Sequence, residues 1–89
     1  MVRAVIECGA VSTKADLHAA LAKALDFPAW YGGNLDALHD LLTDIAVDTT
    51  IRLQDWAHAE AALGPYGKRV EKVLVLSALE NPSLTIEFC

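Results

Sequence analysis

Residues 27–44 read FPAWYGGNLDALHDLLTD, an aromatic and glycine segment that runs into a leucine-rich stretch. Advancing about 100° per residue from Leu35 puts Leu38, Leu41, Leu42 and Ile45 on one side. Asp36, Asp40 and Asp44 fall together on nearly the opposite side, and His39 and Thr43 lie on the flank between. The spacing predicts a helix from about Leu35 to Asp44. Asn34, whose side chain satisfies free amides at a helix start, is the expected N-cap. A helix with one apolar side must be laid against another element, and the chain on either side supplies candidates.

Upstream, RAVIEC (3–8) is a short β-branched run that reads as a strand. Thr13 and Asp16 have capping-box spacing, with a short acid in place of Glu or Gln. Leu17, Ala20, Leu21, Ala24 and Leu25 follow with helical period until Pro28 pushes its neighbour out of the α region. Downstream, TTIRLQ (49–54) is a second strand. Asp55 is the expected cap of a short helix, WAHAEAAL (56–63), which Gly64-Pro65 stops. Lys68 to Leu79 carries Val70, Val73, Leu74 and Ala78 on one side, ENPS breaks that helix, and LTIEF (84–88) is a last strand. The order β-α-α-β-α-α-β predicts an α/β fold, a small three-stranded parallel sheet packed with helices. With 89 residues, 1–89 reads as a single domain.

The charge is unevenly placed. Of the formal −5, all lies between Lys23 and Arg52, where Asp26, Asp36, Asp40, Asp44 and Asp48 face no Lys or Arg. The remaining residues balance seven bases against seven acids. Such a field repels nucleic acid and attracts a basic partner. Like charges at i,i+4 each cost a few tenths of a kcal/mol (about 0.2–0.5), so helix stability does not explain the stripe. Asp36 gains from the dipole at the helix start and Asp44 loses by it at the end. Trp30 and Tyr31 are candidate contacts or core residues, Tyr31 with its hydroxyl on a backbone group. Gly32 and Gly33 permit positive φ and close approach of another backbone.

No apolar run approaches the roughly 18 residues needed to cross a bilayer, and the N-terminus reads as a strand rather than a secretory signal. Cys8, at the end of the first strand, and Cys89 have no zinc or CxxC spacing, so both are expected as free thiols in a reducing cytoplasm. There is no nucleophile triad and no phosphate loop. No cofactor is implied. His18 is expected to be packed and hydrogen-bonded, and His58 to lie at the surface.

YGGNLDALHDLLT, ADLHAAL in the first helix, and the end strands AVIE and LTIEF together resemble the barstar family, intracellular inhibitors of secreted, barnase-type guanyl-specific bacterial ribonucleases. The likeness covers essentially the whole chain. It implies a protein that plugs a ribonuclease active site, one to one, with its second helix and the loop before it. By the resemblance, Asp40 is the anchor in the nuclease's phosphate-binding subsite, against its arginine and histidine. Asp36 is the second charged contact, and Trp30 lies over the region of the catalytic histidine. Gly32, Asn34, Leu35 and Thr43 match interface positions, and the chain is expected to be monomeric alone. Gly33 departs from the pattern by replacing an acid, and His39 and Ile45 replace tryptophans. The family's fourth acidic contact falls on Leu76, and Glu80 one turn later reads either as its substitute or as a solvated helix end. Two other readings fit the residues. One is a barstar-like module for another basic protein or toxin domain. The other is a small metal-dependent hydrolase using Asp36, His39 and Asp40.

Overall fold

The computed structural model describes all 89 residues. Strands β1 (Val2–Glu7), β2 (Thr49–Gln54) and β3 (Leu84–Phe88) form one parallel sheet in the order β1-β2-β3. Helices α1 (Lys14–Leu25) and α2 (Leu35–Thr43) connect the first pair of strands, and α3 (Trp56–Leu63) and α4 (Pro65–Glu80) the second. The α/β order β-α-α-β-α-α-β is as expected from the sequence.

Side chains alternate across a pleated strand, and here the alternation separates a covered face from an open one. Ala4, Ile51 and Ile86 stand opposite one another in register, as do Ile6, Leu53 and Phe88. Ala4, Ile6, Ile51, Leu53 and Leu84 are buried under Leu17 and Leu21 of α1, Leu38 and Leu42 of α2, and Val70 and Leu74 of α4. Arg3, Val5, Glu7, Arg52, Thr85 and Glu87 on the other face are exposed.

The capping box at α1 forms as expected: Thr13 Oγ1 accepts from Asp16 N, and the Asp16 carboxylate accepts from Thr13 N. Several boundaries differ from the sequence reading. The first strand ends at Glu7, and Cys8 opens a single 3-10 turn, Cys8–Ala10. Asp55 precedes α3 in the left-handed region (φ 57°) and makes no side-chain cap, so the expected cap is absent. The last helix begins at Pro65, three residues before the predicted start, because proline's fixed φ suits the first helical position. It runs to Glu80. Cys8 and Cys89 are both free thiols. Burial, then the charges of Glu7 and Asp55, push the Cys8 thiol up to about 11.

A buried asparagine ties two parts of this framework together. Asn81 Nδ2 donates to Leu42 O and Ile45 O at 2.9 Å each, and its Oδ1 accepts from Ser83 N at 2.9 Å. It thereby closes the C-terminal end of α2 against the segment that starts β3. In the sequence, ENPS signals only a helix break, and nothing local to it reveals this clamp.

Candidate functional site

Helix α2 is fixed from beneath and from both ends. Leu38 and Leu42 are fully buried, each contributing about 1.5–3 kcal/mol. At its start Asn34 Oδ1 accepts from Ala37 N at 2.8 Å, the predicted cap. At its end Asn81 holds the last carbonyls. The helix stops at Thr43 rather than Asp44, which becomes the residue just past it.

Asp36, Asp40 and Asp44 are exposed along the outer side, and the Asp40 side chain is 87% accessible. None of the three makes an ion pair with a lysine or arginine, the chain's single such pair being Lys68 with Glu60. Thr43, beside them, donates its hydroxyl to His39 O at 2.8 Å and Asp40 O at 3.3 Å, so toward solvent it offers only lone pairs. Leu35 is half-buried, its inner part packed on the core.

His39 turns away from the acidic row toward α4. Its Nε2 lies 2.5 Å from Glu80 Oε2, and its Nδ1 4.0 Å from Asp40 Oδ1. A carboxylate only accepts, so Nε2 carries the proton in this contact. Glu80 is the exposed helix end expected from sequence, and it also bridges α4 to α2. Leu76, one turn earlier, is exposed. Asp36, His39 and Asp40 do not converge, and nowhere do three His, Cys, Asp or Glu side chains gather as metal ligands. The metal-hydrolase reading lacks its geometry.

The loop before α2 presents its aromatics in opposite directions. Trp30 is 73% exposed. Tyr31 packs edge-on against Phe27, with ring centroids 4.9 Å apart. Its hydroxyl meets His18 Nδ1 at 2.5 Å rather than the backbone group expected. His18 is buried and hydrogen-bonded as expected. Its Nε2 meets the Tyr66 hydroxyl at 2.7 Å. Burial lowers the His18 pKa from its ordinary value and raises both phenols, Tyr31 to about 12. Gly33 has φ +65°, where a glycine is needed, whereas Gly32 has no positive φ. A Cβ at Gly32 would instead lie 3.0 Å from Asn34 Nδ2, so the glycine leaves room for the cap residue.

The site is thus an exposed carboxylate row without a lysine or arginine partner, in the helix that follows a loop with an exposed indole. Comparison with known proteins narrows this. A family model described as "Barstar (barnase inhibitor)" matches residues 1–85. The chain belongs to the barstar family. A curated relative in Bacillus subtilis (strain 168), named "Putative ribonuclease inhibitor YrdF", is 41% identical over 59 residues, 65% of this chain and 65% of that protein. The barstar match spans α2 and the loop before it, and so includes each of the candidate contact residues.

Proposed function

We propose that this barstar-family chain is a proteinaceous ribonuclease inhibitor, acting by occupation rather than by chemistry. Helix α2 and the loop before it enter the active site of a basic, secreted guanyl-specific ribonuclease in a one-to-one complex. Carboxylates take the place of RNA phosphates, because a carboxylate accepts two parallel hydrogen bonds from an arginine much as a phosphate does. Asp40 is the anchor, Asp36 the second charged contact, and Trp30 the flat group replacing a base. Gly32, Gly33, Asn34, Leu35 and Thr43 form the surround, His39 its α4 edge, and Asp44 adds to the field. The inhibitor acts in the cytoplasm, where it neutralises nuclease that has not been exported.

The observation that carries this reading is the row Asp36, Asp40 and Asp44, exposed and without a lysine or arginine partner. Family membership and the relative's name agree with it. The test is Asp40→Ala assayed against a barnase-type guanyl-specific ribonuclease. A central contact of this kind costs at least about 2 kcal/mol, roughly thirtyfold in the inhibition constant. Stability should stay within about 0.5 kcal/mol, since the side chain touches no core residue. The association rate of the parent protein should fall steeply with added salt. Undiminished inhibition by Asp40→Ala would refute the assignment.

A further inference from the structure

Apart from one turn bond, Tyr31 N to Pro28 O, residues 28–33 make a single hydrogen bond to the protein: the Tyr31 hydroxyl on His18. Trp30, whose side chain is mostly in solvent, sits immediately before that anchor. The imidazole that receives it is held in turn by Tyr66 on α4, whose ring lies 4.5 Å beneath the Lys14 ammonium. Both nitrogens of His18 are thus engaged, one by the loop and one by α4. A neutral imidazole has one donor and one acceptor, and a phenol can serve either, so the three groups satisfy one another in either imidazole tautomer. Gly33, at the far end of the loop, also packs here, its Cβ direction ending 3.8 Å from His18 Cβ.

We propose that His18 is the positioning residue of the partner-facing loop: clamped by Tyr66, it fixes Tyr31 and so sets where Trp30 meets the bound protein. This rests on the proposed inhibitor function for its consequence, but not for its first test. Ordering this loop in advance removes a cost that binding would otherwise carry. Loosening it therefore acts on the complex through the loop, not through the acidic row.

The experiment begins on the free protein, with amide hydrogen exchange followed at the Tyr31 amide, which donates to Pro28 O, and at β2. Tyr31→Phe keeps the ring on Phe27 but removes the anchor. Exchange at the Tyr31 amide, the hydrogen-bonded N–H of this loop, should rise about five- to tenfold, the equivalent of one neutral hydrogen bond, with β2 changed much less. His18→Leu should do the same, and His18→Gln, which retains a donor and an acceptor, should restore part of the protection. Tyr66→Phe should fall between. In the second stage the Tyr31→Phe complex with the ribonuclease should dissociate about five- to tenfold faster, with its salt dependence unchanged. Equal exchange in the Tyr31→Phe and parent loops would overturn the proposal outright. A looser loop with unchanged dissociation would overturn its functional half. If the parent protein inhibits no such ribonuclease, the inhibitor reading fails while the exchange result still decides the anchor.

Discussion

Removing the Asn81 side chain should expose how far the placement of α2 depends on its clamp. Asn81→Ala deletes three hydrogen bonds, two to carbonyls at the end of α2 and one from Ser83 N. At a net of about 0.5–1.5 kcal/mol each, the bonds sum to about 1.5–4.5 kcal/mol. The Leu42 contact is buried, so its carbonyl keeps the long bond from Ile45 N, 3.4 Å, but loses the amide where water does not easily replace it. The expected cost is therefore near the middle of that range, about 3 kcal/mol. That is a large fraction of the roughly 5–15 kcal/mol that holds a typical domain folded. In a chain of this size it corresponds to about 12–24 °C in melting temperature. Urea unfolding followed by circular dichroism measures it, and an unchanged denaturant slope would show that the denatured state is not responsible. Asn81→Asp preserves the acceptor for Ser83 but turns a carboxylate toward two carbonyl oxygens, and should be at least as damaging. A loss below about 0.5 kcal/mol for Asn81→Ala, the size of an ordinary surface change, would refute the clamp.

Three further outcomes follow from the same geometry. Because burial lowers the His18 pKa, the unfolded chain takes up the proton first. Stability should be intact above about pH 6.5 and decline as pH falls toward the folded value, by at most about 1.4 kcal/mol per pH unit. Urea midpoints against pH for the parent and His18→Gln isolate this contribution, and superimposable profiles would contradict it. Gly33→Ala should cost about 1–2 kcal/mol from the left-handed backbone alone, because its Cβ would meet His18 at an ordinary 3.8 Å; thermal melts resolve a shift of that size. Leu38→Ala should cost about 2–5 kcal/mol while Asp36→Asn stays within about 0.5 kcal/mol, a contrast that urea titration of both variants measures.

Elements whose signals are local were legible in the sequence. Helical phase placed Leu38 and Leu42 inward and the aspartates outward, Asn34 capped α2, and Thr13 with Asp16 formed its box. What escaped were contacts between residues distant in the chain. Asn81 reaches α2 across 36 and 39 positions, Glu80 reaches His39 across 41, and His18 reaches Tyr66 across 48. Nothing in a single sequence gives the distance between α4 and α2, so Glu80 read as a free helix end and Asn81 as a stop signal. Tyr31 was half legible: packing was expected, but its hydroxyl partner depended on where α1 passes. Gly33 and Gly32 looked equivalent in the sequence, and only backbone geometry separates a conformational need from a steric one.

The two sides of α2 share almost no side chain. Leu38 and Leu42 hold the helix down, and Asp36, Asp40 and Asp44 touch none of the core that keeps it there. Substitutions on the outward positions are therefore nearly silent to folding and are read only by whatever meets that surface. A lineage can exchange its outward residues one at a time without passing through an unfolded ancestor. The same separation makes the helix a natural place to graft a new recognition pattern, with the sheet and Asn81 left as they are.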